Sequence, residues 1–213
     1  MHLNILNSRQ LKIFPQLIFL EKLGFYMAGG TALALQLGHR TSLDFDFYNI
    51  KHFSSSDLYN KIENIFKYNS EKISTAKDTL LCLVSEVDMS FFWYSHKLID
   101  NPIKVKGVLL ASLQDIAAMK LIAISSRPAQ RDYIDIFYLL KKFTFEEMFA
   151  FGYKKYPNFN HYLALRALTF FKDLEDSNKR SIKIFDPDFS WPKAKEKIFT
   201  EVKKYQLAMI KKR

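Results

Sequence analysis

Residues 43–48 read Leu-Asp-Phe-Asp-Phe-Tyr, and few local patterns constrain a fold more tightly. In a strand, side chains two apart share a face, so Asp44 and Asp46 point one way while Leu43, Phe45 and Phe47 point the other. The aromatic face demands a core, which makes this a stiff, half-buried strand. Two carboxylates so close repel each other unless a cation lies between them. One or two hard oxygen ligands, completed by water and substrate phosphate, are how magnesium is usually held. The competing reading of the same residues is a solvated edge strand with two exposed acids.

The neighbouring segments decide what this strand is for. Phe25 to Ala28 reads as a short strand ended by Gly29-Gly30, and Thr31 to Leu37 as a helix closed by Gly38. Two glycines between strand and helix let a ligand approach the backbone where any Cβ would intrude. The helix that follows turns unpaired N–H groups toward the same spot, which suits a phosphate; an ordinary turn is the alternative. Further on, Thr79 to Tyr94 reads as one or two strands with a hairpin break at Ser85-Glu86. There Glu86, Asp88 and Ser90 share a face, and Val87, Met89 and Phe91 the other. If that strand lies beside the first, Asp88 (or Glu86) closes a three-carboxylate site able to hold two cations.

Elsewhere the periodicity is helical. Leu11–Leu23 is apolar at helical spacing behind a Ser8 cap, with Pro15 as a kink. Ser54-Ser55-Ser56-Asp57 offers caps for a helix to about Tyr68. From Ser112 the pattern predicts helices over about 112–125, 131–142, 145–155, 160–174 and 192–210. Strands and helices thus precede an almost wholly helical half. The expected class is α+β, with a core over 1–110 and a helical part over 111–213 packed on it or continuous with it.

Charge divides along the same line. The chain carries 32 Lys and Arg against 22 Asp and Glu, a net of +10. Residues 1–100 balance at 10 and 10, whereas residues 101–213 hold 22 basic and 12 acidic side chains. Over 179–213 alone the ratio is 11 to 4. A polarised basic half suggests a polyanionic partner, nucleic acid before membrane surface; the competing reading is a solvated, lysine-rich tail that aids solubility. A single cysteine, Cys82, excludes an internal disulfide framework and zinc ribbons or fingers; its place in the run Leu80 to Val84 predicts a buried strand residue without redox role. The five scattered histidines form no metal-helix pair, no apolar run is long enough for a membrane span, and the amino-terminal residues lack a signal-peptide core. The expectation is a cytoplasmic protein.

The elements in order, Gly-Gly, 13 residues, Asp-x-Asp, then a carboxylate on a later strand, resemble the polymerase-β-like nucleotidyltransferases. The stretch FYMAGGTALALQLGHRTSLDFDF (25–47) is similar to the AbiEii/AbiGii family of nucleotidyltransferase toxins. So are SLQDIAAMKLIAI (112–124), RDYIDIFYLL (131–140) and the later ALTFFKDLE and SWPKAKEKIF blocks. The resemblance implies a small mixed β-sheet with flanking helices, the polymerase-β-like nucleotidyltransferase core, followed by a mostly helical C-terminal half.

It also implies roles. Gly29 and Gly30 match the phosphate-binding turn, with Thr31 beginning the helix behind it. Asp44 and Asp46 match the metal-binding acids for Mg2+ or Mn2+, and Asp88 the third carboxylate. His39-Arg40 matches the pair before the Asp-x-Asp strand, from which Arg40 would reach phosphate. Lys120 matches a lysine that contacts nucleotide phosphates; by its apolar surroundings alone it is either snorkelling or aimed at a site. Asp132 and Asp135 fall in the last motif, where one acid is needed for activity; Arg131 and Asp135, four apart, also fit a simple helix-surface pair. Arg127-Pro128-Ala129-Gln130 departs from the glycine-rich stretch usual before that motif.

The implied reaction is transfer of a nucleoside monophosphate from an NTP to RNA, tRNA first, by a toxin whose antitoxin is separately encoded. Two rivals remain: a nucleotidyltransferase acting on a small molecule, and a non-catalytic nucleotide- or RNA-binding protein. The basic second half argues against the first, and the clustered acids against the second.

Overall fold

The computed structural model describes residues 1–67, 69–171 and 182–211, in two compact units, Met1–Ser112 and Leu113–Arg213.

The first unit is built on a seven-stranded mixed sheet. Its strands are β1 (Tyr26–Ala28), β2 (Phe45–Asn49), β3 (Ser70–Ala76), β4 (Thr79–Val84), β5 (Val87–Trp93), β6 (Ile103–Val105) and β7 (Val108–Leu110). Their order across the sheet is β3-β4-β5-β2-β1-β7-β6. β2 runs parallel to β5 and β1 parallel to β7; the remaining pairs are antiparallel. The alternation read from the sequence appears directly in β2, where Phe45 and Phe47 are fully buried and Asp46 and Tyr48 partly exposed. Phe47 stacks on Phe91 of β5 with ring centroids 5.2 Å apart, and Phe25 meets Phe91 edge-on at 5.5 Å. Each such aromatic side chain removed from water contributes roughly 2–3 kcal/mol, which fixes the register of the two strands. Cys82 lies buried in β4, and burial pushes its thiol up to about 12.

The helical segment expected at the amino end is broken into three: α1 (Ser8–Ile13), a 3-10 turn over Phe14–Ile18, and α2 (Phe19–Lys22). Pro15 is the cause, since it supplies no backbone donor and starts the tighter turn. The cap is Asn7, one residue earlier than expected; it exchanges side-chain hydrogen bonds with Gln10 in a capping box. Gly38 ends α3 (Gly29–Leu37) in the left-handed conformation, φ +66°. α4 (Ser55–Phe66) is capped by Ser54 and ends two residues before the expected bound. Ser85 and Glu86 both take positive φ, giving the tight hairpin between β4 and β5.

The second unit is helical: α5 (Leu113–Ser126), α6 (Gln130–Leu139), α7 (Phe145–Lys155), α8 (His161–Leu168) and α9 (Trp191–Lys211). α5 packs against α6, α7 and α8, which explains why Ile116, Ala117, Leu121 and Ile124 are all buried. α8 stops at Leu168, earlier than expected, and residues 172–174 of the expected helix lie outside the described residues. Among the described residues no helix is long and apolar enough to cross a membrane.

His161 gives this unit a pH response. Its ring lies edge-on to Phe149 at 4.7 Å and to Tyr205 at 5.6 Å, and its buried Nε2 has no hydrogen-bond partner. Burial holds its pKa below the usual 6.5, so the unfolded chain takes up a proton at a pH where the folded chain does not. Stability therefore falls as pH drops through and below about 6.5. The urea midpoint of His161→Phe should fall less than that of the wild type between pH 7.5 and 5; parallel curves would show that His161 contributes nothing to the slope.

Candidate active site

β2 and β5 bring two of the sequence-predicted acids, Asp46 and Asp88, to one face of the sheet. Asp46 pairs with Ala28 of β1 on one side and, in parallel register, with Ser90 of β5 on the other. Asp88 lies two residues before Ser90, hence on the same face, and is partly exposed like Asp46. Glu86 is not on that strand: it sits in the hairpin turn and pairs with Arg9 at 2.7 Å. This leaves Asp88 as the β5 carboxylate.

Asp44 immediately precedes β2, and its backbone is pinned. Thr31 Oγ1 donates to the Asp44 carbonyl and lies 2.7 Å from Ser42 Oγ, while Gln10 Nε2 donates to the Ser42 carbonyl at 2.9 Å. Thr31, expected at a nucleotide-binding position, thus fastens the segment that carries Asp44. Gln10 and Ser42, which sequence reasoning passed over, share that task. Nothing local announces them, because Gln10 lies 32 residues from its partner.

The glycine turn meets the acids. Gly29 has φ +73°, and a Cβ there would come 2.9 Å from Asp46 Oδ2, so the carboxylate lies directly over the turn that opens α3. Ala28 caps this helix without a side-chain hydrogen bond, and the first turn holds no acid. At Gly30 a Cβ would stand 2.5 Å from Arg40 Nη2. Arg40 is only 2% exposed, with Nη1 donating to the Thr41 carbonyl at 2.9 Å, so its guanidinium is a fixed wall behind the turn.

Whether these residues suit a divalent cation turns on the donor set. Among the described residues no group of three or more His, Cys, Asp and Glu is gathered closely enough to hold a metal by itself. Asp46 and Asp88 share a face, and the three-carboxylate cluster expected of Asp44, Asp46 and Asp88 does not close among the described residues, because Asp44 precedes the strand. Hard carboxylate oxygens beside a glycine turn fit magnesium, which keeps several waters and takes substrate phosphate as ligand.

The second unit holds the other expected residues together. Lys120 of α5 is 6% exposed, and its Nζ lies 2.6 Å from Asp132 Oδ1 and 2.6 Å from Asp135 Oδ2, both on α6. Its ammonium does not snorkel to solvent. Asp132 and Asp135, three apart and so on one helix face, both grip it. The second oxygen of Asp132 is buried and has no hydrogen-bond partner. One pair was missed in the sequence. Asp115 of α5 and Lys155 of α7 meet at 2.6 Å with both side chains 0% exposed; an acid inside the apolar run after Leu113 was its only trace.

Comparison with known proteins gives the family and the fold. A family profile described as nucleotidyl transferase AbiEii toxin, type IV TA system, matches residues 18–80 and 94–204. The Aquifex aeolicus protein aq_aa25 is 33% identical over 187 residues, covering 85% of this chain and 87% of its own length. The crystal structure of JHP933 from Helicobacter pylori superposes with a TM-score of 0.55 at 14% identity, over 97% of this chain and 96% of that one. A candidate nucleotidyltransferase from H. pylori gives 0.53 at 13%, over 98% and 99%. At such identities these two structures speak for the fold alone.

Proposed function

Because the chain belongs to the AbiEii family of nucleotidyl transferase toxins of type IV toxin–antitoxin systems, and is on that ground a nucleotidyltransferase, we propose that it moves a nucleoside monophosphate from an NTP to a hydroxyl of RNA, with tRNA the first acceptor to try. The observation that carries this reading is the Asp46 carboxylate lying over the Gly29 turn, with Asp88 on the same face of the sheet. Family membership implies an antitoxin as genetic partner.

Asp44 and Asp46 would hold Mg2+ or Mn2+, which when bound offsets triphosphate charge and makes the acceptor hydroxyl more acidic. The backbone N–H groups at Gly29 and Gly30 receive the phosphates, and buried Arg40 adds a fixed positive charge behind them. Asp88 takes the proton of the acceptor hydroxyl. The freed oxygen attacks the α-phosphorus, the bond to the bridging oxygen breaks, and pyrophosphate leaves. In the second unit, the buried Lys120 ammonium is held by Asp132 and Asp135 and fastens α5 to α6. The excess of 22 basic over 12 acidic residues in 101–213 supports a polyanionic acceptor.

The test combines purified protein, magnesium, each α-labelled NTP in turn and total cellular RNA. Label should enter an RNA band with one nucleotide. NTP consumed without labelled RNA would point to a small acceptor, and no consumption at all to a binding protein. Gly29→Ala should keep the family's fold yet lower turnover at least about tenfold. Its Cβ is strained at φ +73° and displaces the Asp46 carboxylate. A Gly29→Ala enzyme with wild-type kcat would show that the turn and Asp46 do not act together.

A further inference from the structure

A second feature of the first unit lies where β2 ends and β3 turns into β4. His52 stacks on Trp93 with ring centroids 4.4 Å apart and planes within 19°. Both rings are reachable, the His52 side chain being 62% exposed and Trp93 39% exposed. Both are also fixed. His52 Nδ1 lies 2.7 Å from Asp78 Oδ2, and Trp93 Nε1 donates to the Ile50 carbonyl at 3.1 Å. Asp78 is itself held in the left-handed conformation, φ +56°, its other oxygen accepting the Phe53 N–H at 2.9 Å. An aromatic pair serving only the core would be covered. This one is oriented by three hydrogen bonds and left open.

Beside it is a cleft of about 430 Å³ whose lining includes Ser54, Ser55, Ser56, Lys72, Lys77 and Asp78. Lys72 and Lys77 are exposed, with Lys72 Nζ over the Tyr59 ring at 4.7 Å. Asp78 is the one acid in this lining, and both its oxygens are engaged as described. A rigid exposed ring stack next to lysines and hydroxyls is the combination that takes an unpaired nucleotide, base on the rings and phosphate on the cations.

We propose that the His52–Trp93 stack and the adjoining Lys72/Lys77 cleft form a subsite for single-stranded RNA. The proposal rests on RNA being the acceptor. The base extends the stack from His52, and the neighbouring phosphate enters the cleft. Double-stranded RNA, whose bases are already stacked, gains nothing from the platform.

The experiment measures binding of a fluorescein-labelled 12-nucleotide single-stranded RNA to the full chain, without NTP, by anisotropy. His52→Ala should weaken binding roughly five- to tenfold, whereas His52→Phe should stay within about twofold of wild type. Both variants lose the bond to Asp78, so their difference isolates stacking from any loosening of the loop. Lys72→Glu with Lys77→Glu should reduce the slope of log K against log salt by about 1.4, two contacts at about 0.7 each. A duplex of the same sequence should compete poorly. Wild-type affinity in His52→Ala, absence of binding by the folded wild type, or equal competition by the duplex each overturns the proposal. RNA labelling is scored separately. Labelled RNA with unchanged binding in His52→Ala sinks the subsite and spares the transferase reading. Binding sensitive to His52→Ala without labelled RNA does the reverse.

Discussion

Asp46→Asn is expected to lower nucleotidyl transfer by roughly two to four orders of magnitude while leaving the fold intact. The amide keeps the size of the carboxylate but removes its charge and one hard oxygen. Position makes this residue decisive. Asp46 is clamped between Ala28 and Ser90 in the middle of the sheet, and its Oδ2 overlies the Gly29 turn. Stability should change little, because the amide keeps the side chain's volume and one accepting oxygen. Turnover with the best NTP and the thermal midpoint, measured side by side, check both halves. If the variant turns over within tenfold of wild type, the carboxylates over the glycine turn are not the catalytic centre. Equal losses in turnover and in midpoint would mean that Asp46 is a structural residue.

The candidate site is legible in the sequence as far as its parts are local. Alternation holds over Phe45–Asn49 and sets which way Asp46 points, with the two glycines that open α3 beside it; Leu43, expected to face the core, is 39% exposed, because the strand starts only at Phe45 and Asp44 precedes it. What went unread has physical causes too. β3 has no buried position, so Ser70–Ala76 carries none of the apolar alternation that betrays a strand; it is recruited by its backbone pairing with β4. β6 and β7 are three residues each, too short for a period to show, and are joined by Lys106-Gly107 with both residues at positive φ. The Asp115–Lys155 pair and the grip of Asp132 and Asp135 on Lys120 depend on how helices pack, which spacing along the chain does not report. The family resemblance placed Asp132 and Asp135 on one motif, while spacing alone offered an Arg131–Asp135 surface pair, which the burial of Asp135 rules out. Only packing shows that both hold the same ammonium.

Lys155→Met should destabilise the chain by about 3–5 kcal/mol, the largest stability effect expected of any single substitution considered. Lys155 closes α7 and reaches Asp115 of α5 at 2.6 Å, and neither side chain is exposed at all. Without the ammonium, Asp115 is left as a buried charge lacking this partner, and its desolvation is no longer offset. The surface bridge Lys197–Glu201 on α9 is at a similar distance, 2.8 Å, yet its lysine is 46% exposed; losing it should cost under about 0.5 kcal/mol. Burial, not distance, separates the two. Replacing both partners, Asp115→Leu with Lys155→Met, removes the stranded charge and should recover most of the loss, because an apolar pair of similar volume has no desolvation to repay. Urea unfolding of the four members of this cycle gives the coupling directly. A loss below 1 kcal/mol in Lys155→Met would mean that Asp115 finds other support. A double variant as unstable as the single one would mean that the pair's contacts, rather than its charge balance, fasten α7 to α5.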